Sequence, residues 1–126
     1  MLILNFAHPL TNEQLEQIER ILGKSVREVR DIQTHFDNCQ PVAPQTVALA
    51  DACELSPHDW QTQPLLVVPP SLSTIAATLL AEIHGRAGYF PPIIRVCPGL
   101  DLPSRYVVSE IVNLQVVRDE ARTRRN

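Results

Sequence analysis

Two short loops carry the residues whose types and spacing could do chemistry. In the first, His8-Pro9 follows the apolar run at the start of the chain and leads on to Thr11. In the second, Pro69-Pro70-Ser71-Leu72-Ser73 follows the apolar run Leu65 to Val68. An imidazole can donate to a phosphate or move a proton near neutral pH. Serine hydroxyls beside the free N–H groups of a helix start can hold an anion. A third group, His84-Gly85-Arg86-Ala87-Gly88-Tyr89, offers a guanidinium suited to bidentate phosphate contacts, between glycines that permit tight turns.

Each group also has a plainer reading. His8 can be a loop histidine before a helix. Ser71 and Ser73 can cap the helix that follows them, and capping needs only one of the two. His84 and Arg86 suit the negative end of a helix dipole. A helix of about 13 residues is roughly 20 Å long, so the third group cannot meet the second within one protomer. A ligand shared by both would need a second copy of the chain. Thr34-His35-Phe36-Asp37 follows another strand and can line the same edge as His8, or be a loop with no ligand. Trp60 reads as core or interface, and Arg118, Arg122, Arg124 and Arg125 read as a solvated helix face.

The elements that must position these loops are legible in turn. Met1 to Ala7 reads as a central strand. Thr11 and Gln14 have capping-box spacing, and Leu10 and Leu15 have hydrophobic-staple spacing. The helix they open has Leu15, Ile18, Ile21 and Leu22 on its apolar face, with Gly23 as its stop. A second strand falls near Glu28 to Thr34, and Asp37 to Pro41 is loop. Pro44 suits the first turn of a helix that continues through Cys53. Ser56-Pro57 opens a single helical turn ending near Trp60.

Leu65 to Val68 is short and apolar enough for a strand buried on both faces. The next helix carries Leu72, Ile75, Ala76, Leu79, Leu80 and Ile83 on one face, with Gly85 as its expected end. Ile93 to Val96 is a strand, and Pro98 to Ser104 a turn-rich connection. Tyr106 to Val112 is a β-branched run, expected as a last strand that can run antiparallel to Ile93 to Val96, an orientation that chain order alone does not fix. Leu114 to Arg124 reads as helix. Strands alternating with helices imply one α/β domain over residues 1–126, Rossmann-like, with a mostly parallel sheet flanked by helices.

Composition narrows the function. The chain has 126 residues, 44% apolar and 20% charged, with a formal net charge of −3. A protein that tracks a long nucleic acid carries excess Lys and Arg, so long nucleic acid is not an expected partner. Aromatics make up 5%, too few for a large base-stacking platform. Cys39, Cys53 and Cys97 form no CxxC pair, so neither a disulfide framework nor a zinc site is expected, and a reducing cytoplasmic setting fits. No signal peptide or membrane span is expected. There is no GxGxxG, Walker or GxSxG motif, so no metal and no cofactor are expected. An enzyme built on these residues would work by orienting its substrate.

Three segments, LNFAHPLTNEQLEQIE, LSPHDWQTQPLLVVPPSLSTIAATLLAEIHGRAGYFPPIIRV and SEIVNLQVVRDEAR, together resemble a small CRISPR-accessory family, the Csx family whose number is fifteen. HGRxGYFPP is the most specific part of that resemblance, which spans nearly the whole chain. The resemblance implies a CARF-like fold, related to sensors of cyclic oligoadenylates in type III CRISPR systems. It implies binding of cyclic tetra-adenylate or a similar ring, followed by sequestration or by cleavage as in ring nucleases. An even-membered ring can have two-fold symmetry, so a homodimer or higher homo-oligomer bridged by ligand is expected.

On this reading the ligand-binding candidates are His8, Pro9, Thr11, Pro70, Ser71, Leu72, Ser73, Arg86, Gly88 and Tyr89. His8 as acid or base and Ser71 as phosphate donor are the catalytic candidates. No matched acid/base pair is visible, which favours sequestration over cleavage. A protein-interaction module with no nucleotide ligand is the third possibility.

Overall fold

Leu2 to Asn5 form β1 and Leu65 to Val68 form β3, and every residue of both strands is buried. These runs need cover on both faces, and the helices supply it. The computed structural model describes residues 1–100 and 105–125. Its elements continue as α1 (Asn12–Leu22), β2 (Glu28–Asp31), α2 (Val42–Asp51), α3 (Pro57–Thr62), α4 (Ser73–Ala87), β4 (Ile93–Pro98), β5 (Tyr106–Val112) and α5 (Leu114–Thr123). The strands form one sheet in the order β2-β1-β3-β4-β5. Pairing is parallel except between β4 and β5, which are antiparallel. The expected Rossmann-like α/β architecture is therefore present, and the last strand, whose orientation chain order left open, is antiparallel. Residues 101–104 of the expected Pro98 to Ser104 connection lie outside the described residues. No helix among the described residues is long and apolar enough to cross a membrane.

The period-two alternation of β1 and β3 sorts the core into two layers. Leu2, Leu4, Leu65 and Val67 pack with Leu49, Trp60, Ile75, Leu79 and Ile83 from α2, α3 and α4. Ile3, Leu66 and Val68 pack on the opposite face with Ile18 of α1, Ile94 and Val108. The connection through α1 leads from β1 outward to β2, and the connection through α4 leads from β3 the other way to β4. The chain therefore reverses direction across the sheet between β1 and β3. The carboxyl ends of those two strands form the crevice in which open α/β sheets take ligands.

Several boundaries differ from the sequence expectation. Gly85 does not end α4, which continues to Ala87 and stops at Gly88, in the left-handed region at φ 83°. Ile83 and Ala87 are both buried, so packing carries the helix across an exposed glycine. β2 ends at Asp31, because the chain turns there and Thr34 Oγ1 donates to the Phe6 carbonyl at 3.1 Å. α3 runs past Trp60 to Thr62.

The expected serine cap of α4 is absent. Leu72 is the N-cap residue, and no side chain caps the helix. The two serines stand on either side of the capping position, Ser71 one residue early and Ser73 already inside the first turn.

The β4–β5 hairpin is the main departure from a plain doubly wound sheet. It pairs from Ile93↔Val112 to Pro98↔Tyr106, with an irregularity between Arg95 and Val96. β3 meets β4 only at Val67↔Ile93. Most of the hairpin therefore rises beyond the carboxyl end of β3 and stands as a wall beside the crevice.

Candidate functional site

A cavity of about 940 Å³ occupies this crevice. That is near the upper end of the roughly 300–1,000 Å³ typical of small-ligand sites. One side is the β1–α1 loop, Ala7 to Leu10, with Thr11, Glu13 and Gln14. The floor is Val68 to Ser71, and the hairpin wall supplies Ile93 to Val96, Arg105, Tyr106 and Val112.

Asn5 sets the first loop. It is fully buried at the end of β1. Its Oδ1 accepts from the Ala7 amide at 3.0 Å, and its Nδ2 donates to the His8 carbonyl at 2.9 Å and to Asp31 Oδ1 at 2.8 Å. These bonds fold residues 5 to 8 into a side-chain-stabilised turn and leave His8 exposed at the cavity. The Phe6 amide donates to the Val68 carbonyl at 2.9 Å, which ties this loop to the second one.

The capping box of α1 forms as its spacing predicts. The Gln14 amide donates to Thr11 Oγ1 at 3.1 Å, and the Thr11 amide donates to Gln14 Oε1 at 3.0 Å. Gln14 does more than close the box. Its Nε2 donates to the Tyr106 carbonyl at 2.9 Å, and Gln17 Oε1 accepts from the Val108 amide at 2.8 Å. Two glutamines of α1 thus bind the outer backbone edge of β5 and hold the hairpin over the cavity.

The start of α4 meets the floor with its first-turn N–H groups uncapped by any side chain. Such a terminus carries roughly half a positive charge. Arg95 and Arg105 add cationic side chains on the wall, each paired across solvent with a carboxylate. Arg95 lies 3.0 Å from Glu110, and Arg105 lies 3.7 Å from Glu13. Both pairs are exposed, so they hold the arginines loosely.

The structure brings His8, Pro9, Thr11, Pro70 and Ser71 together around this one cavity. Leu72 and Ser73 lie just past the floor, at the helix start, and do not line it. Arg86, Gly88 and Tyr89 sit at the far end of α4, as its length requires. Arg86 is bound by Asp51 at 2.9 Å and Glu82 at 2.8 Å, and its guanidinium carbon stands 6.0 Å from the Trp60 ring centroid. Within one protomer it ties α4 to α2 and α3. Burial pushes the Tyr89 phenol up, against the backbone N–H of Leu65, which begins the central strand β3 at the end away from the crevice. His84 packs its ring on Phe90 with centroids 4.2 Å apart. Most of the segment HGRxGYFPP thus has packing and ion pairs to account for it. His35 to Asp37 line a separate hollow with Asn38, Cys39 and Gln45.

Asn5, Glu13, Gln14, Arg95, Arg105 and Tyr106 belong to the site and were not sequence candidates. Asn5 had a signal, since an asparagine between an apolar run and a loop is a turn former. The wall residues had none, because they arrive through strand pairing rather than local spacing.

Compared with protein-family models, with curated proteins and with solved structures, the chain gives no significant match to any of the three.

Proposed function

We propose that this protein binds a cyclic oligoadenylate, cyclic tetra-adenylate first among them, and damps its signal by holding it. The observation that carries the reading is the convergence at the switch point. The His8 loop and the Ser71 loop meet there around one cavity, and the uncapped start of α4 follows just past its floor. The whole-chain sequence resemblance supports the choice of ligand. A ring of four phosphates is compact, so local donors suffice and the net charge of −3 is no obstacle. The two-fold symmetry of such a ring supports assembly of two copies around one ligand.

Cleavage is the second reading, favoured by the presence of His8 and Glu13 on the same cavity. A ribose 2′-hydroxyl would attack its own phosphorus, and the 5′-oxygen would leave opposite to it. The products would be a 2′,3′-cyclic phosphate and a 5′-hydroxyl. The attacking hydroxyl gives up its proton to a base, and the leaving oxygen takes one from an acid. Ser71 and the α4 amides would stabilise the negative charge that builds on the non-bridging phosphoryl oxygens. Sequestration stands first because His8 is the only imidazole lining the cavity among the described residues.

One mixing experiment tests both. Protein and labelled cyclic tetra-adenylate, incubated without metal, are split between native and denaturing gels. A native shift with intact ring is the expected result. A shift with linear products moves the assignment to a ring nuclease, and His8→Ala or Ser71→Ala should then stop turnover while leaving some binding. No shift with the four- or six-membered ring removes the cyclic-nucleotide reading.

A further inference from the structure

We infer that Tyr106 is the nucleobase-stacking residue of this cavity, an inference that rests on the nucleotide-binding reading above. His8 and Ser71 lie on the loop side and floor of the cavity, and Arg95 and Arg105 share the hairpin wall with Tyr106. Tyr106 stands on the hairpin wall with 64% of its surface exposed, although it begins a strand in which Val108 is buried. An aromatic ring left in water at the edge of an apolar hollow is a ready platform, because every base has a π-face. Pro9, Pro69 and Ile94 supply further apolar surface in the same cavity. A ligand that carries phosphate next to a flat ring matches this lining, with cationic side chains beside an exposed aromatic.

The platform is fixed before ligand arrives. The Tyr106 carbonyl accepts from Gln14 Nε2 at 2.9 Å, and the residue pairs with Pro98 across the hairpin. Its backbone is therefore held from two sides while its side chain stays exposed. Preorganisation of this kind lowers the entropy lost on binding. Gln14 acts through Tyr106 and is a positioning residue, linking the wall to the capping box beside the His8 loop. Stacking tolerates any base, so Tyr106 gives affinity for a nucleobase without choosing adenine. Arg105, its neighbour on the same wall, is free to turn from Glu13 toward a ligand phosphate, since their pair is exposed and 3.7 Å long.

The test titrates cyclic tetra-adenylate, 5′-AMP and inorganic phosphate into wild type and into Tyr106→Leu, Tyr106→Phe and Tyr106→Trp. Thermal melts establish that each variant is folded. Tyr106→Leu should weaken the ring about tenfold or more, while Tyr106→Phe stays within about threefold, as base–aromatic stacking requires. The Tyr106→Trp variant should bind and lose fluorescence on binding, above the constant signal of buried Trp60. Ring binding that is unchanged in Tyr106→Leu, or an unquenched Tyr106→Trp variant, overturns the stacking role and leaves the proposed function intact. Failure of the ring to bind wild type, with Tyr106-dependent binding of 5′-AMP, overturns the cyclic ligand and keeps the stacking role. If neither adenine ligand binds wild type, both fall. Equal affinity for inorganic phosphate and 5′-AMP also overturns the stacking role, since the base would then contribute nothing.

Discussion

Asn5 shows how much one buried amide can organise. Three of its hydrogen bonds converge on the turn that presents His8 and on the end of β2. Asn5→Ala should cost about 1–3 kcal/mol in all, since its partners Ala7, His8 and Asp31 are exposed and regain water, and this is read as a lower urea midpoint. Asn5→Asp should also destabilise, because it removes both donors and sets a carboxylate against Asp31. Either variant should loosen the His8 loop and weaken ligand binding.

Cys53 makes a second prediction at this scale. It is buried, and burial pushes its thiol up to about 12, against the opposing pull of Arg30 and Arg86. A raised folded-state value means that its stabilising contribution is complete below the ordinary thiol range. That contribution is lost as pH rises through that range toward 12. Cys53→Ala should therefore flatten the alkaline limb of the stability profile. In the native protein, alkylation should reach exposed Cys39 well before Cys53. The sequence names such residues but not their burial, so Asn5 was legible as a turn former and Cys53 only as a thiol.

At the scale of elements, helix ends separate what is local from what is not. The Thr11–Gln14 box and the Ser56 cap formed as their spacing predicts, because a cap involves only residues three apart. The end of α4 did not follow its first glycine. Gly85 lies within the helix, and a Cβ built on it meets nothing within 4 Å, whereas Gly88 holds φ 83°. Gly85→Ala should stabilise by about 0.5–1 kcal/mol through helix propensity, and Gly88→Ala should destabilise by about 1–2 kcal/mol through left-handed strain. Thermal melts of the two variants should move in opposite directions. The serines at the other end of α4 have the right type for capping and are offset by one residue. A one-residue offset is too fine for spacing to resolve, and it leaves the helix start open for an anion.

At the scale of the whole molecule, charge and topology decide different things. The alternation of strands and helices gave the sheet class, while the antiparallel orientation of the last strand was left open by chain order and is seen in the pairing of β4 with β5. It did not give the height of the hairpin, because strand register depends on partners distant in sequence. The hairpin wall of the cavity was invisible for that reason. Net acidity, by contrast, bears directly on binding. Four phosphates at about 0.7 of a released counterion each cap the salt slope of log affinity at about −3 for the proposed ring. The limited cationic side chains of the cavity should hold it below that cap. Affinity measured from 50 to 300 mM salt checks this, and a steeper slope would point to a longer nucleic acid.

The single rung between β3 and β4 has a consequence for how the protein breathes. The hairpin is stitched to the rest of the sheet at Val67↔Ile93 and otherwise held by Gln14, Gln17 and the packing of Ile94 and Val108. Its own ladder is long, so it should detach as an intact unit rather than fray. In hydrogen–deuterium exchange, the amides of residues 93–98 and 106–112 should open together, at lower free energy than those of β1 and β3. Bound ligand should slow the exchange of that unit far more than that of the central strands.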